Sequence, residues 1–455
     1  MVQVVERTPA RLRAGVVGRL DSVVFGVAST APSYSLAVTV GLLAAAVGAA
    51  APVALALSAI PVVLVALCFR ELNRELPDCG TSYAWAQRAL GRRAGGLSGW
   101  LAIAACLLVM ANLAQISALY LFDLLGLDGL AGSRLAQAAV GCAAIGVMAW
   151  LAYRGVQVAA RVQTVLVVVE VGALLWFAGR ALAQADHLAA PTLSTTGGTG
   201  GVSGWTAAFL AAVFLYWGWD SSFSTNEESD DPRETPGFAA LAANGVLVVL
   251  YLVVTWAAVS WAGTERLAAV ADDDFFSVLA GQLMGTVGGK VLVGAVLVSG
   301  LASAQTTILP TSRTLLAMGR DGVLHPRLAD VSPRYGTPSV ATWAFSGAAA
   351  VLYVVLVGLS DSVLNDSVAA TAVMVAGYYG LTAFATLRFP WSDGAARRPL
   401  ARVVVPALAT AAFAVTLVVS LLDISPVSLL VIGLSLAAGI PALGPTRKAL
   451  VKEPA

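Results

Sequence analysis

Two carboxyl side chains stand alone inside long apolar stretches. Glu170 is the only charge between Arg161 and Arg180, and Asp220 closes an apolar run that begins near Trp205. Burial in a low-dielectric medium favours the neutral carboxyl, so such a group can load and release a proton or serve as counter-ion to a cation. The plainer alternatives are a structural Glu170 that ties its helix to its neighbours and an Asp220 that caps a half-helix. Ser299 and Ser303, about one turn apart, could face Glu170 or a cation, or could simply satisfy their own helix. Asp220 ends the run Tyr216-Trp217-Gly218-Trp219-Asp220, and a second polar run reads Ala28-Ser29-Thr30-Ala31-Pro32-Ser33. Proline has no N–H and clashes with the preceding turn, so a helix that breaks there exposes backbone donors and acceptors. Tyr378 and Tyr379 read as packing residues and are left out of the site.

Other chemistries find no support. His187 and His325 lie in loops, and the four cysteines, at 68, 79, 106 and 142, show no paired spacing. Neither a metal centre nor a disulfide frame is suggested. Gly197, Gly198, Gly200, Gly201 and Gly204 fit no GxGxxG register and follow no strand, so they read as a flexible linker. Gly281, Gly285 and Gly289 form a small-residue row suited to close helix packing. No nucleophile–base pair and no phosphate loop can be placed, so an enzyme, a resident cofactor and direct ATP drive are not expected.

The elements that must hold the two carboxyls are membrane helices. Of 455 residues 58% are hydrophobic and 12% charged, against about 25% charged in soluble domains. Charge-free stretches such as Val23 to Phe69 and Tyr335 to Ser360 exceed the roughly 20 residues that a spanning helix needs. Barrel-type alternation is absent, and a bilayer otherwise admits only helices. The expected architecture is an all-α polytopic membrane protein with twelve transmembrane helices at about 20–46, 52–75, 95–125, 135–154, 157–182, 205–229, 238–263, 288–318, 339–359, 365–389, 402–422 and 426–443. With both termini cytoplasmic, only Arg134, Arg180, Arg266 and Lys290 fall outside, leaving the other 23 of 27 basic residues inside.

Depth makes the polar runs informative. Thr30 lies about 16 Å from Arg19, and Asp220 about 22 Å from the start of its helix, so both sit near the midplane. Either break alone could be a tolerated kink. Two breaks at corresponding depth, in helices running in opposite directions, point to a transporter built from inverted five-helix repeats.

At this point the chain resembles the amino acid–polyamine–organocation (APC) transporter superfamily. The resemblance covers about residues 15 to 445 and rests on four stretches in order. They are the break in span one; Phe69-Arg70-Glu71-Leu72-Asn73-Arg74-Glu75-Leu76-Pro77 with Gly80-Thr81-Ser82-Tyr83-Ala84-Trp85; Gly218-Trp219-Asp220 with Glu227-Glu228-Ser229-Asp230-Asp231-Pro232-Arg233; and Ser312-Arg313 with Ala317-Met318-Gly319-Arg320-Asp321-Gly322. It implies a 5+5 inverted repeat with broken helices one and six plus two C-terminal helices. It also implies a substrate between the breaks, its carboxylate on backbone N–H groups around Ser29 to Ser33 and its ammonium on carbonyls near Tyr216 to Gly218. An aromatic after the span-six glycine, here Trp219, would close over it. Two departures stand out. Ala28-Ser29-Thr30-Ala31-Pro32 replaces the usual glycine-rich signature and resembles polyamine-importer-like branches, which leaves carboxylate recognition open. Glu170 stands where many relatives carry a lysine.

The expected function is therefore secondary active transport of an amino acid or amine by alternating access, with proton coupling through Glu170, Ser299 and Ser303. The alternatives are an exchanger or a facilitative, channel-like carrier without ion coupling. The expected partners are the small-molecule substrate, protons and the lipid bilayer, with no nucleic acid. The predominance of arginine over lysine, with abundant alanine, suggests a GC-rich bacterium and hence the cytoplasmic membrane. Expected segments are a cytoplasmic 1–19, repeats at 20–182 and 205–389 joined by an outer loop 183–204, a helix pair within 390–443, and a cytoplasmic tail 444–455.

Overall fold

The computed structural model describes residues 11–271, 275–359, 361–393, 397–422 and 425–444. The terminal segments expected to be cytoplasmic thus lie largely outside the described residues. The described residues are mainly helical, with no strand beyond two isolated bridges.

The first span is two helices, α1 (Arg19–Ser29) and α2 (Pro32–Val47). Ala31 between them takes the left-handed conformation, φ 46° and ψ 62°, and Pro32 opens α2 at the position where a missing N–H costs nothing. Then come α3 (Ala51–Glu75), α4 (Ser82–Leu90), α5 (Arg92–Leu125), the short α6 (Asp128–Ala131), α7 (Arg134–Tyr153) and α8 (Val156–Ala183). The expected sixth span is also interrupted: α9 (Gly201–Leu215) ends before a turn at 216–220, and only the four residues of α10 (Ser221–Ser224) resume it. The chain continues as α11 (Thr235–Ala268), α12 (Phe275–Arg320), α13 (Ser339–Leu359), α14 (Asp361–Arg388), α15 (Val405–Leu422), α16 (Pro426–Ala438) and α17 (Ile440–Leu443).

Nine helical stretches among the described residues are long and apolar enough to cross a bilayer. One of them, Arg19–Glu75, runs for 57 residues, and α9 and α16 are apolar but shorter. The molecule is a multi-pass membrane protein. Helix α12 lies at its centre, against α5, α8, α2 and α1, while α14 packs between α5 and α15.

Three expectations need correction. Helix α4 lies between the spans expected at 52–75 and 95–125 and was not anticipated; it is an amphipathic helix of nine residues, too short for a spanning pattern to register. The row Gly281, Gly285, Gly289 does not line one helix face. Gly285 has φ 71° and kinks α12, and Gly289 lies so close to Gly281 across the kink that a side chain would meet its backbone at 3.2 Å. Nor is the glycine run at 197–204 a loose linker. Thr199 N and Gly200 N donate to Ala45 O and Ala46 O of α2 at 2.9 and 3.0 Å, and Ala49 N donates to Thr196 O at 3.1 Å. Gly198 and Gly48 meet backbone to backbone, a separation that no Cβ would fit.

Candidate functional site

The two breaks touch. Gly218 adopts φ 125°, and a side chain there would stand 2.5 Å from Ser29 O, so only glycine lets the second break approach the first. Hydroxyls bind the pair together: Ser221 Oγ donates to Phe25 O at 3.1 Å and Ser222 Oγ to Ser22 O at 2.9 Å. Around this junction lies a cavity of about 770 Å³, its open mouth included.

Seven expected residues line it: Ser29, Thr30 and Ala31 of the first break, Trp217, Gly218 and Asp220 of the second, and Ser303 of α12. Ser303 Oγ donates to Ser29 O at 3.0 Å. Thr30 Oγ1 donates to Val27 O at 2.8 Å and accepts from Tyr251 OH at 3.2 Å. The cavity continues past Cys106 and Thr311 to Thr314 and to Thr81 and Ser82 at the start of α4. Among the described residues no Lys, Arg or His lines it.

The other expected residues stand behind the wall. Ala28, Pro32, Ser33, Tyr216, Trp219, Glu170 and Ser299 are buried but do not line the cavity. Trp219 was expected to close over a substrate. Its indole is instead wedged among Phe69, Tyr379 and Phe223, with ring centroids 5.3, 5.5 and 6.3 Å away, and the turn conformation of Gly218 aims it there. Trp217 faces the cavity, as do Tyr34, Phe214 and Tyr378. Tyr216 OH donates to Leu55 O at 3.3 Å.

The donors at the first break are not free either. Glu170 Oε1 accepts from Ser33 N at 2.8 Å and from Ser299 Oγ at 2.5 Å, and Ser299 Oγ in turn accepts from Tyr34 N at 3.3 Å. One carboxyl on α8 therefore ties α2 to α12. Thr30 N and Ala31 N donate back to Val27 O and Ala28 O, both at 3.2 Å, and Ser35 N donates to Ala31 O at 2.8 Å. In this structure the protein itself fills the positions where a substrate carboxylate was expected to dock.

Asp220 occupies the N-cap position of α10 but makes no side-chain cap bond. Its Oδ2 accepts from Tyr378 OH at 2.8 Å, and the same phenol oxygen accepts from Trp217 Nε1 at 2.7 Å. Tyr378 also lines the cavity and was missed in the sequence. The available signal was demand: a buried carboxylate needs a donor, and a phenol supplies one within an apolar helix without adding a charge.

Below the cavity, ion pairs bind the arginine-rich end. Glu228 forms a buried pair with Arg313, each 1% exposed. Glu227 Oε1 accepts from Arg320 and from Cys79 N, both at 3.1 Å. Burial works to raise the Glu227 carboxyl, but the bonds from Cys79 and Arg320 outweigh it and hold the group below its ordinary value. Burial pushes neighbouring Asp78 up. Asp78, Cys79 and Glu227 stand close enough to share a cation, and the Arg320 guanidinium already supplies one. Tyr83 OH and Gln87 Nε2 of α4 donate to Asp321 at 2.7 and 2.9 Å.

A family model described as amino acid permease matches residues 18–433. A branched-chain amino acid permease, BcaP, of Lactococcus lactis subsp. cremoris is 27% identical over 65% of this chain and 66% of its own length. A methylthioribose transporter of Bacillus subtilis is 24% identical over 72% of each. The vacuolar cationic amino acid transporter 2 of Arabidopsis thaliana is 28% identical over 64% of this chain and 47% of its own.

Proposed function

The chain belongs to the amino acid permease family, and from that premise we propose that it is a secondary active transporter moving an amino acid or amine by alternating access. The observation that carries the reading is the cavity formed where two interrupted helices meet at Gly218 and Ser29. Half-helices that end at mid-depth give a site whose walls can hinge, which a continuous helix cannot do. The names of the relatives span branched-chain amino acids, methylthioribose and cationic amino acids.

The proposal includes twelve crossings. The stretch Arg19–Glu75 supplies two, the other eight long apolar stretches one each, and α9 and α16 the remaining two. The arginine-rich end is the cytoplasmic face of a bacterial inner membrane, and both termini lie there. Helices α1 to α8 and α9 to α14 form the two inverted repeats, followed by α15 and α16.

Protons are the coupling ion, and Glu170 carries them. When ionised it accepts from Ser33 and Ser299 at once and holds α2 against α12. A proton on it weakens both bonds and lets α2 move. Ser303, bonded to Ser29 O, holds the neighbouring contact of α12 with α1. The test is counterflow in proteoliposomes with radiolabelled amino acids and amines. Saturable exchange of chemically unchanged solute supports the reading, and its absence across both classes counts against it.

A further inference from the structure

The wall of the cavity has a definite electrical character. Among the described residues, Asp220 is the carboxyl that lines it, and no Lys, Arg or His does. A substrate carboxylate entering here would meet a like charge and no cation, in a medium where an unpaired charge is costly. The other way to hold a carboxylate is the backbone of a helix N-terminus, which α2 could offer. That position is occupied. Ser33 N is bonded to Glu170 and Tyr34 N to Ser299, whose own hydroxyl donates to Glu170, and Pro32 has no N–H. The protein has put its own carboxylate where a ligand's would go.

We infer that the cavity takes an organic amine lacking a carboxylate, with its ammonium on Asp220 and with Glu170 standing in place of a substrate carboxylate. This rests on the transport reading above and narrows its substrate class. The ammonium gains an acceptor whose geometry is fixed, because Tyr378 OH bonded to Oδ2 and Trp217 Nε1 behind it orient the carboxylate. The amine's apolar body has Ile103, Val109, Leu113 and Phe214 along the same wall.

The test compares four ligands that share a 3-methylbutyl unit: 3-methylbutylamine, leucine, 4-methylpentanoate and 3-methylbutanol. Thermal stabilisation of the purified protein reads binding, and counterflow reads transport. The amine should bind at least tenfold tighter than leucine, and the carboxylate and the alcohol should be weaker still. Asp220→Asn should lower affinity for the amine at least tenfold. Glu170→Ala uncovers Ser33 N and should shift the ratio of leucine to amine affinity towards leucine by about tenfold, a ratio that partial loss of folded protein does not alter. Leucine equal to or better than the amine in the wild type overturns the inference and leaves the transport reading intact. An alcohol as good as the amine also overturns it. Binding and exchange of none of the amines and amino acids tried overturns both.

Discussion

Glu170 shows how one residue can be both structural and functional. Its Oε1 accepts from Ser33 N and Ser299 Oγ, which is the tie between helices that a purely structural glutamate would make. The same bonds depend on its charge, because a neutral carboxyl is the weaker acceptor. Glutamine keeps an acceptor oxygen for both donors but cannot release a proton. Glu170→Gln should therefore lower accumulation driven by a pH gradient about tenfold or more while binding changes less than threefold. Uptake measured with and without an imposed gradient, beside a thermal-shift titration, separates the two; equal loss in both assays would return Glu170 to a binding or structural role. The residue's isolation was legible in the sequence, but its occupation of the helix-two donors was not. Spacing within a chain says nothing of which distant backbone amide a buried carboxyl will find. Tyr378 was missed for the same reason: it meets Asp220 across 158 positions.

At the scale of elements, the two interrupted helices work only as a pair. Gly218→Ala forces a left-handed backbone onto a residue with a Cβ and drives that Cβ into Ser29 O. The backbone conformation alone costs about 1–3 kcal/mol. Counterflow should be abolished and the thermal midpoint lowered, whereas Gly294→Ala in α12, with open space around it, should leave both unchanged or gain up to about 1 kcal/mol of stability. The ion pairs near α4 give a second test. Glu227 is held below its ordinary value of 4.5, so its pairing with Arg320 and Cys79 stabilises the fold above that value and is lost as pH falls below it. Thermal midpoints should drop between about pH 5 and 3, and less so in Glu227→Gln. At neutral pH the same variant should speed alkylation of buried Cys79, read by mass spectrometry; unchanged Cys79 reactivity would mean that the pair does not seal this end.

For the whole molecule, the long apolar helices and the two breaks were legible because hydropathy, proline and glycine act locally. The docked glycine loop, α4 and the Gly285 kink were not, because glycine reads alike whether it loosens a chain or lets two backbones meet. Topology is tested with single cysteines in a cysteine-free background. Ser194→Cys, on the exposed loop before α9, should react with an impermeant reagent from outside, and Arg397→Cys, which is 73% exposed in the native protein, only after permeabilisation. The reverse pattern at both positions would invert the molecule. The two ends are fastened by different means. One is held by charged side chains, and the other by main-chain hydrogen bonds from Ala49, Thr199 and Gly200. Dissolved salt screens the first kind and barely touches the second, so ionic strength should shift the balance between the two openings in one direction only. The bonded amides at the second end would also exchange with deuterium only when that end parts, and so could time its opening without any label.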